Sequence, residues 1–177
     1  GGAGSDTWLG GAGNDTLTFN TSTAARNTSS VRIATAFTMT DGLGGTDSVS
    51  GFEAIVGTTY NDNIRADASS GIVEANSFDG QAGDDQLYGF YGNDTLLGSA
   101  GRDTLVGGDG NDSLLGGADT DSLYGENGDD YISTGGTYTT EREYVEAGSG
   151  NDTVIGGSGN DEVYGQAGDD YINTGDA

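Results

Sequence analysis

Apolar residues fall on this chain at intervals of nine. Trp8, Leu17, Leu87, Leu96, Leu105, Leu114, Leu123, Ile132, Val154, Val163 and Ile172 each close a phrase of Gly, Asn, Asp and small polar residues. A period of nine fits neither a helix face nor a plain alternating strand; self-similarity at a fixed short period is the mark of a solenoid. Within each phrase the first six residues have turn chemistry, with glycines free to take positive φ. The last three are β-branched, leucine or aromatic and predict a very short strand. Side chains alternate across a strand, so the eighth position points inward and the seventh and ninth outward. A three-residue strand needs partners. The simplest closure takes two phrases per coil, giving two parallel sheets with turns along both edges. Equivalent turns then stand eighteen residues apart in sequence and about 4.8 Å apart in space.

The copies begin at Gly1, Gly10, Gly80, Gly89, Gly98, Gly107, Gly116, Gly125, Ala147, Gly156 and Gly165. The fourth position is Gly except at Asp119. The sixth never varies: Asp6, Asp15, Asp85, Asp94, Asp103, Asp112, Asp121, Asp130, Asp152, Asp161 and Asp170. Stacking places these carboxylates in two repulsive columns, so the turns require a cation between them. Simple turn-capping would tolerate Asn or Ser there, as position five does with Ser5, Asn14, Asp84, Arg102 and Thr120. Carboxylate and carbonyl oxygens, in a chain with no His and no Cys, form a hard-cation ligand set. Six to eight oxygens at about 2.3–2.6 Å suit calcium better than magnesium, which demands a tighter octahedron.

The phrase resembles the Gly-Gly-x-Gly-x-Asp-x-U-x nonapeptide of the haemolysin-type, or RTX (repeats-in-toxin), calcium-binding family. The resemblance covers residues 1–18 and 80–173 well and 42–65 more loosely. It implies an all-β fold, a right-handed parallel β-roll or two-sheet β-solenoid, with each calcium ion between two stacked turns. It implies ligation by the Asp side chains of both turns, by carbonyls of positions one and three of one turn, and by carbonyls of positions two and four of the other. On the central turns those carbonyls belong to Gly98, Ser99, Ala100 and Gly101, to Gly107, Gly108, Asp109 and Gly110, and to Gly116, Gly117, Ala118 and Asp119. Five turns per row over 80–173 would hold roughly eight interstitial ions. It also implies type I secretion, with the chain unfolded at low cytosolic calcium and folded outside at an affinity of about 10⁻⁴–10⁻³ M.

Composition makes that folding conditional. The 177 residues include 35 Gly, no Pro and a formal net charge of −24, from 29 acidic and five basic residues, all arginine. Such a chain is expected to be expanded by self-repulsion without cations, so that metal binding supplies folding free energy directly. Lacking a basic patch, it is no nucleic-acid binder. No apolar run reaches the length of a membrane span. The chain opens on the first residue of a phrase and closes inside another and is expected to be a slice of a longer protein; separately, an extracellular bacterial location is expected. Absence of cysteine fits that compartment.

Two regions are distinguished. Residues 1–79 carry two regular repeats and an irregular, longer-looped insert. Within it Val31, Ile33, Phe37 and Met39 alternate as a strand, Asp47 with Val49 and Asp62 with Ile64 form weak phrases, and Ile55 continues the inward stack. Residues 80–177 form the regular β-roll, interrupted by Thr134–Glu146. That segment reads as one phrase with a loop extruded near Tyr138–Glu141, Glu143 replacing Asp and Val145 pointing inward. Asp84, Asp129 and Asp169, at position five, are expected to be solvated. Asp119 is expected to keep offering its carbonyl. At position nine one sheet is expected to expose Tyr88, Val106, Tyr124 and Tyr164, and the other Leu97, Leu115 and Ile155; strand preference explains these stripes, and Trp8 belongs to the core. The matches at Asn20 and Asn27 to a glycosylation acceptor carry no weight in a bacterium lacking the pathway.

Catalysis is not expected. Without His, Cys or Lys there is no Ser-His-Asp triad, thiol nucleophile or phosphate-loop lysine. The Glu residues form no evident pair for glycoside chemistry. An EF-hand also fails, because a loop from Asp109 lacks the required Gly and Glu. The expected function is a calcium-dependent structural module of a secreted or surface protein, a spacer or assembly surface partnered by copies of itself or by other surface-layer or adhesin components. An accessory domain of a secreted lipase, protease or alginate epimerase is the alternative, and ligand binding along the Tyr stripe a third reading.

Overall fold

A computed structural model describes residues 16–18, 53–66, 73–135 and 142–175 in full, and the backbone of strands at 7–9, 30–33, 37–39 and 47–50. Asp6, Asp15, the side chain of Trp8 and the loop near Tyr138–Glu141 lie outside these residues.

The described secondary structure is all strand, wound as a β-solenoid of two parallel sheets. One sheet stacks eight strands: Thr16–Thr18, Ala54–Val56, Ser77–Asp79, Thr95–Ala100, Ser113–Ala118, Tyr131–Ser133, Thr153–Ile155 and Tyr171–Asn173. The other stacks seven: Ser30–Ile33, Asn63–Ala66, Gln86–Tyr91, Thr104–Asp109, Ser122–Asn127, Tyr144–Ser149 and Glu162–Ala167. Successive phrases alternate between the sheets, as two phrases per coil require. Leu96 pairs with Leu114 and Leu105 with Leu123. The register absorbs the insertions: Val145 pairs with Leu123 and Ile64 with Leu87.

The core is a single file of inward side chains from each sheet. Ile55, Ile64, Phe78, Leu87, Leu96, Leu105, Leu114, Leu123, Ile132, Val145 and Val154 are buried to within 1 %. The eighth-position pattern therefore predicted this core, including Ile55, Ile64 and Val145, with Phe78 the one member it did not name. Ile172, in the last described strand, is 41 % exposed, because no further described coil covers it. With two apolar residues per coil the core is thin, and backbone ladders carry much of the order.

Two expectations are corrected. Seven strands of the two sheets, among them Thr104–Asp109, span six residues, not three, because positions two and three of the next phrase stay on the ladder. In Thr104–Asp109, Gly108 pairs with Phe90 and Asp109 with Tyr91. The corner lies at position one, and the tight turn is confined to positions four to six. The stretch from Val31 to Met39 is two strands in different sheets. Ser30–Ile33 runs parallel to Asn63–Ala66, whereas Phe37–Met39 runs antiparallel to Asp47–Ser50, which also pairs with Thr7–Leu9 in a separate three-stranded sheet. Alternation specifies a pleated face but not a continuous strand, and a change of partner direction leaves no trace in it.

Candidate metal centre

The sixth-position residues line the two edges of the solenoid. One column runs Asp62, Asp85, Asp103, Asp121, Glu143, Asp161; the other runs Asn76, Asp94, Asp112, Asp130, Asp152, Asp170. After the first member of each column, every carboxylate accepts a hydrogen bond from the backbone N–H of the member one coil before it. Asp85 Oδ1 accepts from Asp62 at 2.7 Å, Asp103 from Asp85 at 2.8 Å and Asp121 from Asp103 at 2.9 Å. Glu143 Oε2 accepts from Asp121 at 2.7 Å, and Asp161 Oδ1 from Glu143 at 3.2 Å. In the other column Asp94, Asp112, Asp130, Asp152 and Asp170 do the same at 2.7–3.0 Å.

The second carboxylate oxygen is different. Oδ2 of Asp85, Asp94, Asp103, Asp112, Asp121, Asp130 and Asp152 is buried and has no hydrogen-bond partner, in side chains at most 3 % exposed. Six of them lie against the position-one glycine of their own turn; the turn of Asp152 begins with Ala147. A Cβ on Gly80, Gly89, Gly98 or Gly107 would collide with Oδ2 of Asp85, Asp94, Asp103 or Asp112. The same Cβ on Gly80, Gly89 and Gly98 would meet the carbonyl oxygens of Gly98, Gly107 and Gly116 in the next coil at 3.1, 2.7 and 2.6 Å. Carboxylate and carbonyl oxygens thus crowd one pocket per gap.

Burial leaves these groups ill at ease as bare anions. Desolvation, ahead of repulsion from neighbouring carboxylates, pushes Asp85, Asp94 and Asp130 up to about 7 and Asp121 to about 8. Asp103 and Asp112 rise to about 6, and Asp62 and Asp152 are raised as well. A raised folded-state value favours the fold below the unfolded value of 3.8 and opposes it as pH rises through the folded value. In chelator, then, β-structure is expected to increase as the pH is lowered from about 8 to about 4, measured by far-ultraviolet circular dichroism. Constant or falling β-content over that range would contradict the burial of these carboxylates.

Among the described residues no three acidic, His or Cys side chains converge on one point. A cation would therefore draw much of its shell from carbonyls, as calcium readily does. Of the carbonyls named from sequence, Gly98, Gly107 and Gly116 face the pockets. Ala100, Asp109 and Ala118 each accept an N–H, from Gly83, Gly92 and Gly101, and keep one lone pair free of that bond. Ser99 and Gly110 press their oxygens against Gly117 and Gly128. Gly101, Gly108, Gly110 and Gly117 have φ between 118° and 142°, and Asp119 has φ 73°. Positive φ at positions two and four turns successive peptide planes, which is why those positions favour Gly. The turn at Asp119 keeps its Asp121–Asp103 bond. The donor set fits calcium.

A family model for the RTX calcium-binding nonapeptide repeat matches the chain in four copies, at residues 1–18, 71–105, 106–137 and 146–176. The chain belongs to the RTX calcium-binding nonapeptide repeat family. No curated protein matches it. The RTX match beginning at 71 covers a phrase that lies outside the regular ones. Counting nine back from Gly80 puts Gly71 first, Asn76 sixth and Phe78 eighth; neutral Asn76 hides it.

Position five holds more than expected. Asp84, Asp129 and Asp169 are exposed, but they belong to an outer ladder. Asp84 Oδ1 accepts from Arg102 N–H at 3.0 Å, Asp129 Oδ1 from Asn151 N–H at 2.7 Å, and Asp169 N–H donates to Asn151 Oδ1 at 3.0 Å. Asn and Asp both accept there, so the variation concealed the role. The position-nine stripe is two clusters. Arg65 lies 4.3 Å above the Tyr88 ring, and the rings of Tyr124, Tyr144 and Tyr164 pack tilted, with centroids 5.8 and 5.9 Å apart, and Glu146 stands between Tyr124 and Tyr164 on the ladder.

Proposed function

We propose that this RTX β-roll is a calcium-dependent folding and structural module of a secreted or cell-surface bacterial protein, with no catalytic part of its own. The observation that carries this reading is the pair of columns of buried carboxylates, in which Asp85, Asp94, Asp103, Asp112, Asp121, Asp130 and Asp152 each have one oxygen satisfied by the neighbouring coil and one left without a donor. Without cations those columns oppose the fold. With calcium, ions between the stacked turns would neutralise them and join each coil to the next. Release outside the cell, where calcium is abundant, then becomes the trigger for folding. A rigid roll with outer faces of Ser, Thr, Leu and Tyr suits a spacer or assembly surface.

A calcium titration followed by circular dichroism and size-exclusion chromatography tests the reading. At neutral pH in chelator the chain is expected to be expanded and poor in β-structure, and to compact cooperatively as calcium reaches about 10⁻⁴–10⁻³ M, with magnesium far less effective. A chain already compact and β-rich in chelator at neutral pH would overturn it.

A further inference from the structure

The columns contain three departures with one feature in common: a Thr or Asn side chain donates a hydrogen bond into the gap between two coils. At the start of the first column, Asp62 Oδ2 accepts from Thr58 N–H at 2.6 Å and from Thr58 hydroxyl at 3.0 Å. Thr58 stands at position two, where the regular turns take positive φ, as at Gln81 (78°), Ser99 (80°) and Gly108 (119°). Thr58 does not share that conformation, so its N–H reaches the carboxylate. At the start of the second column the sixth residue is Asn76. Its side-chain amide donates to Asp94 Oδ1 at 3.2 Å and to Glu74 carbonyl at 3.0 Å.

The third departure interrupts the first column. Thr134 follows Ser133 at position one of the Glu143 turn, where the other described turns have Gly or Ala. Its side chain is fully buried, and its hydroxyl donates to Gly156 carbonyl at 2.6 Å. Gly156 begins the next coil, and its carbonyl corresponds to those of Gly98, Gly107 and Gly116 that face Asp Oδ2 elsewhere. Ala147, at position one of the Asp152 turn, carries a Cβ but has no hydroxyl to donate.

We propose that Thr58, Asn76 and Thr134 take the place of calcium in three gaps, so that the two ion rows are bounded at the 57–79 coil and the first is broken at Glu143. This rests on calcium binding between stacked turns. The gaps left to ions are Asp85–Asp103, Asp103–Asp121 and Asp121–Glu143 in one column. In the other they are Asp94–Asp112, Asp112–Asp130, Asp130–Asp152 and Asp152–Asp170. Each pairs two carboxylates, and the first of each Asp pair carries an unpartnered Oδ2. In the three excluded gaps a hydroxyl or amide hydrogen already meets Asp62 Oδ2, Asp94 Oδ1 or the Gly156 carbonyl, and Asn76 removes a charge as well.

Counting bound calcium on the whole chain by native mass spectrometry tests this. Asn76→Asp restores the second carboxylate, and Thr134→Gly removes the hydroxyl and its Cβ. Each variant is expected to carry one calcium more than the parent chain. If either keeps the parent's count while retaining calcium-dependent β-structure, the proposal is overturned; should Thr134→Gly fail to fold, Asn76→Asp decides alone. A parent chain that binds no calcium would refute the reading on which the proposal rests, and the two failures are thereby distinguished.

Discussion

Asp112→Ala is expected to shift the calcium midpoint of folding several-fold upward, while Asp84→Ala leaves it nearly unchanged. Asp112 serves two gaps, one shared with Asp94 and one with Asp130. With calcium about tenfold above the dissociation constant, each site adds about 1.4 kcal/mol to the folded state, so losing two removes about 3 kcal/mol. The truncation also strips Asp94 N–H of its acceptor at 2.7 Å, and an orphaned buried donor costs about 1–3 kcal/mol. Asp84 sits one position from Asp85 with the same chemistry, but it is exposed and bonded to Arg102 at the rim. Calcium titrations of both variants by circular dichroism, with urea denaturation at fixed calcium, check the contrast. Equal shifts would undo the assignment of the sixth position.

Gly110→Ala is expected to be nearly as damaging without touching a charge. Gly110 holds φ 142° at position four, and a Cβ there would overlap the carbonyl oxygen of Gly92 and stand 2.6 Å from its carbon. Backbone cannot step aside as a side chain can. Asp119 shows the alternative, with φ 73° at the same position. Gly110, however, lies between Gly92 at 115° and Gly128 at 130°, and twisting one turn alone misaligns its carbonyls with both neighbours. A loss of about 2–4 kcal/mol at saturating calcium is expected. Glu126→Ala is the control, since position two already accepts a side chain at φ 77°. Urea midpoints in calcium measure both, and a Gly110 variant as stable as the control would show that the coils are not stacked this closely.

Much of this was legible in the sequence because the repeat imposes one environment on many residues. Leu96, Leu105 and Leu114 recur at a spacing that only a two-phrase coil places in register, and Glu143 and Val145 could be read across an insertion because both positions move together. What escaped was chemistry carried by single departures. Asn76 conceals its phrase because it lacks the charge that defines the repeat, and Thr58 and Thr134 look like ordinary turn residues until their donors are placed. The outer ladder at position five was missed because Asn and Asp accept an N–H equally well, so no single residue type marks it. The change of partner between Ile33 and Phe37 depends on long-range pairing, which a local pattern does not encode.

The most direct test is a crystal structure grown in calcium, with anomalous data collected at long wavelength. Discrete peaks between Asp94 and Asp112 and between Asp112 and Asp130, each surrounded by six to eight oxygens at about 2.3–2.6 Å, are the expected result. Gaps holding only water, or carboxylates bridged by protons with no anomalous signal, would contradict the claim that calcium joins the coils.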